Sequence, residues 1–225
     1  SVVAGNVANA QTPGYVARTV TQIETVSPGG GNGVNVSGIN RQLDTYVQGQ
    51  LWTESAGGGY AALSANFYQQ LQQVYGQPGS STALDTVFNN FTSAIQALSS
   101  SPASFSVQSQ AVNAAQVLTQ QLNNATQSVQ TLRTEADQGI ASDVQQANLA
   151  LQQIAQANQK LATGGFDPST VDTLEDQRDQ AITQLSKLMN ITVLRGDNNQ
   201  ISVLTSTGVE LASTTAGQLS FTATG

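Results

Sequence analysis

SFSVQSQAVNAAQVLTQQLNNATQSVQTLRTEADQGIASDVQQANLALQQIAQANQKLA, residues 104–162, decides the fold. Small and apolar residues recur every three or four positions, from Val107, Ala111 and Leu118 through Leu132, Ala136, Ile140 and Val144 to Leu151, Ile154, Asn158 and Leu161. That spacing marks one stripe of an α-helix, and the consecutive steps of four from Leu132 to Val144 shift the phase of a coiled-coil-like seam. At 1.5 Å per residue the segment predicts a helix on the order of 85–90 Å long, a rod too long for a compact globule. Gly139 is its one weak point. The alanines of the seam let partner helices approach closely; they serve equally as strong helix formers.

On the C-terminal side, Gly164-Gly165 ends the rod and Asp167-Pro168 restarts helix, a capping carboxylate followed by proline at the first helical position. Val171, Leu174, Ile182, Leu185 and Leu188 form the expected buried stripe, with Glu175-Asp176-Gln177-Arg178-Asp179 on the exposed face. After Asn190 the period changes to two. Ile191 and Val193, then Ile201 and Val203, flank Gly196-Asp197-Asn198-Asn199 and predict a β-hairpin, with further strands at 208–211 and 219–222.

On the N-terminal side, Leu84, Phe88, Phe91, Ile95 and Leu98 mark a short helix capped by the Thr82 hydroxyl. Before it, a helix starting near Asn40, its natural cap, runs through Leu43, Val47 and Leu51. Gly57-Gly58-Gly59 interrupts that pattern as a hinge or a break, each glycine costing about 1 kcal/mol in a helix. Tyr60, Leu63, Phe67, Leu71 and Val74 restore it. Arg18 to Val26 alternates like a half-exposed strand, Ser27 to Gly33 is a flexible loop, and Val34-Asn35-Val36 resumes the alternation until Ser37-Gly38 breaks it. The opening residues, Gly5 to Tyr15, finish a helix and stop it with a type II turn, for which Gly14 supplies the positive φ after Pro13.

The expected architecture is mainly α: an elongated antiparallel helical bundle or coiled-coil rod over 39–190. A terminal and linker region (1–38) precedes it, with a helix remnant, the Pro-Gly turn and extended strands. A β-rich portion (191–225) follows.

Composition narrows the function. The 225 residues carry a net charge of −7, with only 9% charged side chains, so Gln, Asn, Ser and Thr must supply the polar surface. Such a surface repels copies of itself weakly and suits side-by-side packing. Without Lys/Arg clusters nothing replaces phosphate counterions, which argues against nucleic acid. No apolar run approaches the roughly 20 residues that span a bilayer. Histidine and cysteine are both absent, which removes Ser-His-Asp and Cys-His nucleophiles, most zinc and redox-metal sites, and disulfides. The Glu175–Asp179 cluster invites a metal or acid/base site, but consecutive helical positions fan around the axis; a solvated face with an Arg178–Glu175 pair is the plainer reading. Asp197-Asn198-Asn199 lacks the alternating ligands and closing Glu of a calcium loop. Trp52 and Tyr60 fit aromatic packing at a helix joint better than a ligand platform. No catalytic, cofactor-binding or metal residues are assigned, and no cofactor is expected.

The opening string, with Asn6, Asn9, Thr12, Pro13, Gly14 and Tyr15, resembles the N-terminal signature of bacterial flagellar rod, hook and hook-associated proteins. Three later segments resemble the hook-associated protein 1 family in particular, the first hook–filament junction protein. They are Gly31 to Asp44, carrying Gly33, Val34, Arg41 and Asp44; Leu174 to Gln180, carrying Asp176, Gln177, Arg178 and Asp179; and Leu185 to Val193. The order is kept across most of the chain. One departure is that Val16-Ala17 separate Tyr15 from Arg18, where the signature has a hydroxyl residue and Arg directly.

The resemblance implies a secreted structural subunit of the flagellum that self-associates into a ring at the distal hook end and joins hook to filament. Implied partners are the hook protein, the second junction protein and a cytoplasmic export chaperone, which usually acts on the C-terminal region. Nucleic acid and membrane are not expected partners. The family's terminal assembly helices are missing or cut short, so the sequence reads as an N-terminal fragment. In this reading the Asn9–Tyr15 turn sets the angle between inner-wall helix and body, and the Ser27–Gly33 loop acts as adaptor. A secreted coiled-coil adhesin or translocator explains the rod and the composition equally well, but not the ordered signatures.

Overall fold

A computed structural model of the protein describes residues 2–12, 14–26, 32–196 and 199–223. The elements run α1 (Val2–Ala8), β1 (Arg18–Val26), β2 (Asn32–Arg41), α2 (Thr45–Tyr75), α3 (Leu84–Ser100), α4 (Phe105–Thr163), α5 (Pro168–Leu188), β3 (Ile191–Arg195), β4 (Ile201–Thr205) and β5 (Glu210–Ala212). The chain is mainly α, with a small β-rich C-terminal part. The seam read from 104–162 is one unbroken helix of 59 residues, α4. Gly139 does not interrupt it.

Two compact units divide the residues, one from Ser1–Tyr60 with Ser142–Phe221, the other mainly from Ala61–Ala141. In the second unit, Ala83, Val87 and Ala111 are buried while Leu63, Phe88 and Phe105 stay exposed. Its interior therefore lies one residue round from the stripe expected of α3. The Thr82 cap also fails: Ala83 occupies the cap position of α3 and no side chain bonds there. Tyr75, Pro78, Leu84, Phe88, Leu118 and Leu122 line an apolar groove of about 640 Å³.

The first unit holds the larger core. Leu151 and Ile154 of α4 meet Ile182 and Leu185 of α5, and the sheet adds Ile191, Ile201, Val203 and Leu211. Each such side chain removed from water contributes roughly 1.5–3 kcal/mol. The sheet is antiparallel in the order β3-β4-β5, with Val193 opposite Val203. Asp197 and Asn198 of its expected turn lie outside the described residues, and Asn199 has φ 58°. The strand expected at 219–222 does not form. Asn148 of α4 holds the Leu219 backbone instead, accepting from its N–H at 2.8 Å and donating to its carbonyl at 2.9 Å. The expected α5 start is present: Asp167 accepts from the amides of Ser169 and Thr170 with Pro168 at the first position.

Four expectations in the N-terminal third are corrected. Helix does not begin at Asn40, which pairs with Thr19 inside β2. Asp44 caps α2 instead, its Oδ1 accepting from Tyr46 and Val47 at 3.0 and 3.1 Å. The Ser37-Gly38 break is a bulge: register shifts between Thr21 and Gln22, Ser37 is the extra residue, and the strand continues to Arg41. The glycine triplet does not break α2, which is continuous from Thr45 to Tyr75. Gly59 is required where it stands, since a Cβ there would come 2.7 Å from the Lys187 carbonyl oxygen. Trp52 is buried and donates from Nε1 to Thr183 Oγ1 at 3.0 Å, whereas Tyr60 is exposed and takes no part in that packing.

Candidate functional site

The opening signature folds into a hydrogen-bonded joint between α1 and β1. Asn6 leaves α1 and bridges the start of the strand: its Nδ2 donates to the Arg18 carbonyl at 2.8 Å, and its Oδ1 accepts from the Arg18 amide at 3.0 Å. The same oxygen accepts from the Tyr15 hydroxyl at 2.9 Å. Only an amide side chain supplies a donor and an acceptor together at that length; aspartate would lack the donor. Asn9 donates back to the Gly5 carbonyl at 3.0 Å and accepts from the Thr12 hydroxyl at 3.3 Å, which closes the last turn of the helix.

The following turn is closed by the Tyr15 amide donating to the Thr12 carbonyl at 3.1 Å. Gly14 sits at φ 80°, as the third residue of a type II turn does. Pro13 lies outside the described residues. A second constraint acts on Gly14: a Cβ there would fall 2.5 Å from Gln180 Cγ on α5. The turn therefore presses directly on the helix that carries the second signature.

That helix holds the largest departure from expectation. The acidic run is not a solvated face. Asp172, Asp176 and Asp179 are all buried, and Glu175 is half-buried beside them. Consecutive positions do fan apart, but 172, 175, 176 and 179 are spaced by three and four and share one face. Two arginines from the hairpin enter that face. Arg18 of β1 places Nε 3.3 Å from Asp172 and a terminal nitrogen 3.1 Å from Asp176. Arg41 of β2 reaches Glu175 at 2.7 Å, Asp176 at 2.7 Å and Asp179 at 2.8 Å. The Arg18 guanidinium also lies 5.4 Å from the centre of the Tyr15 ring, within cation–π range.

Burial pushes the Asp172 and Asp176 carboxyls above their ordinary pKa, against the downward pull of Arg18 and Arg41. Arg41 is desolvated too, yet its bonds to Asp179 and Glu175 raise its pKa and hold it charged.

Arg178 does not pair with Glu175. It points to the opposite side of α5, buried, and donates to Asn158 Oδ1 at 3.1 Å and to the Asn199 carbonyl. Desolvation lowers its pKa. Asn158, the polar member of the α4 seam, is fully buried. Its Nδ2 donates to the carbonyls of Ile201 and Ser213, both at 2.7 Å, and its Oδ1 accepts from the Ile201 amide at 3.3 Å as well as from Arg178. The two buried charged faces of α5 thus have different duties: one docks the hairpin, the other ties α4 to the sheet.

Of the signature positions, the fold gathers Arg41, Asp176 and Asp179 in one cluster and places Arg178 behind it. Asp44 is the α2 cap. Gly33 and Val34 lie on the exposed hairpin opposite Thr25 and Glu24, and Gln177 faces solvent on α5. Sequence reading missed Arg18, Asp172 and Asn158. The spacing 172, 176, 179 was a visible signal for a shared acidic face, but its counterions lie 134 and 158 residues away along the chain.

A family model described as flagellar hook-associated protein FlgK helical domain matches residues 68–225. Flagellar hook-associated protein 1 of Escherichia coli (strain K12) is 27% identical over 95% of this chain and 40% of its own length. The protein of that name from Salmonella typhimurium is 27% identical over 97% of the chain and 41% of its length. The one from Bacillus subtilis (strain 168) is 25% identical over 86% and 40%. The chain spans about 40% of the length of the curated relatives it matches.

Proposed function

Because the chain belongs to the family of the flagellar hook-associated protein FlgK helical domain, we propose that it serves as a structural, non-catalytic subunit at the distal end of the hook, joining hook to filament. The observation that carries this reading is the alignment, along nearly the whole chain, with relatives named flagellar hook-associated protein 1. The joint supports it further: Asn6, Asn9, Thr12, Gly14 and Tyr15 are spent on fixing one chain path rather than on presenting reactive groups. In this role the Asn9–Tyr15 turn sets the angle between α1 and the body of the subunit.

Copies of the subunit form a ring outside the cell, with the hook protein on one side and the second junction protein on the other. An export chaperone accompanies the subunit before assembly. The loop 27–33, whose residues 27–31 lie outside the described ones, acts as adaptor toward neighbouring subunits.

Deleting the gene and imaging the cells by electron microscopy tests the proposal. Intact hooks without filaments are expected. Filamented cells that adhere poorly would overturn it in favour of an adhesin. Replacing Pro13 and Gly14 with alanine is expected to abolish junction assembly and motility; normal swimming would contradict the role given to the turn.

A further inference from the structure

The segment from α1 through β2 is attached to the rest of the first unit in an unusual way. Among the described residues before Trp52 none is fully buried, and Ile23, Val34 and Val36 are at least half exposed. A crevice of about 300 Å³ stays open between Tyr15–Val16, Val47–Leu51 and Thr183, and Val16, Val20 and Ile39 are only half-buried, so the apolar surfaces of this arm are incompletely closed over the helices. What is closed is the ionic cluster, where the Arg18 and Arg41 side chains are 14% and 8% exposed and their four carboxylate partners 7–16%.

We propose that α1, β1 and β2 form a detachable arm, held on α5 by an electrostatic latch in which Arg18 and Arg41 engage Asp172, Glu175, Asp176 and Asp179. The arm pivots at Gln42–Asp44, between the end of β2 and the cap of α2. Internal bonds keep it in one piece when the latch opens: the β1–β2 ladder, the Asn6 bridge and the Gln42 amide donating to the Ala17 carbonyl at 2.8 Å.

A buried ion pair returns much of its Coulomb gain as desolvation, and opening this latch rehydrates six charged groups at once. Such a contact is specific in geometry and modest in net strength, unlike the apolar core on the other side of α5. It lets α1 and the hairpin be presented at more than one angle while the helices stay folded. Release is a property of the chain itself and stands whether or not the flagellar role holds.

The test uses the whole chain, which has no cysteine. Spin labels at Asn35→Cys on β2 and Gln177→Cys on α5, both exposed positions, report the arm's distance by double electron–electron resonance. A single narrow distance is expected with the latch intact. Arg18→Gln/Arg41→Gln, and separately Glu175→Gln/Asp179→Asn, are each expected to convert it to a broad distribution while the helical circular dichroism signal is unchanged. A narrow distance surviving in both variants would overturn the latch. So would a broad distribution with the cluster intact, or loss of helix in either variant, since the cluster would then be part of the fold and not a detachable contact.

Discussion

Two antiparallel hairpins dock on the same helix, and they do so by opposite physics. β3 and β4 bury Ile191, Ile201 and Val203 against Ile182 and Leu185, so α5 presents hydrocarbon to them. Among the described side chains, β1 and β2 fully bury no apolar one, Val20 and Ile39 being half-buried, and they present two guanidinium groups to four carboxylates. Both hairpins show the same period-two alternation in sequence. Alternation fixes which face a strand buries, and says nothing about what holds that face down. Apolar docking is non-directional and large; ionic docking is directional, partly cancelled by desolvation, and therefore separable from the fold.

The contrast breaks most visibly on the apolar side. Leu185→Ala removes a side chain with no exposure from the centre of the core, and a loss of about 3 kcal/mol in unfolding free energy is expected by urea titration. The β3–β5 sheet should melt together with α4 and α5. Asn158→Leu comes next. It leaves Arg178 without its side-chain acceptor and the carbonyls of Ile201 and Ser213 without their donor. A loss of roughly 2–3 kcal/mol is expected, measured the same way. A neutral result would mean that Arg178 has other means of satisfying its charge.

On the ionic side the effects are local. Gly14→Ala forces a side chain into φ 80° and against Gln180, at a cost of about 1–2 kcal/mol. Amide exchange should accelerate roughly tenfold in the α1–β1 segment. The urea midpoint should stay where it is.

The smallest effect is one of pH. Burial holds Asp172 and Asp176 above the ordinary carboxylate value of about 4. A group with a raised folded pKa takes up its proton more readily folded than unfolded. Its contribution is therefore fully present below the unfolded pKa and is lost as pH rises through the folded one. Mild acid should therefore firm the latch slightly. Asp172→Asn should flatten that part of the pH profile. Asp167 behaves oppositely: the Thr170 hydroxyl and amide lower its pKa, so its cap is present at neutral pH and lost as pH falls through its folded value. A stability profile that rises steadily from about pH 4 to 7 and is unaltered by Asp172→Asn would contradict the first assignment.

Much of the fold was legible because its signals are local. The seam from Val107 to Leu161 specified α4 to within a residue, since a long 3–4 spacing admits no other element. Asp167-Pro168 fixed the start of α5 because cap and first residue are adjacent in the chain. The glycine triplet misled, because its penalty is local while the one justification, the close approach of the Lys187 carbonyl to Gly59, comes from the last turn of α5. The acidic run misled for the same reason. Glu175 to Asp179 reads as solvated until Arg18 and Arg41 arrive from the other end of the chain, and no single-helix pattern carries that information. The joint was partly legible, in that the turn could be named from Gly14, whereas the Asn6 bridge to Arg18 could not.

Amide hydrogen exchange on the whole chain carrying Arg18→Gln/Arg41→Gln tests the difference between the two hairpins most directly. Faster exchange in β1 and β2, with β3–β5, α4 and α5 as protected as before, is the predicted result. Equal acceleration in both hairpins, or none in either, would contradict it.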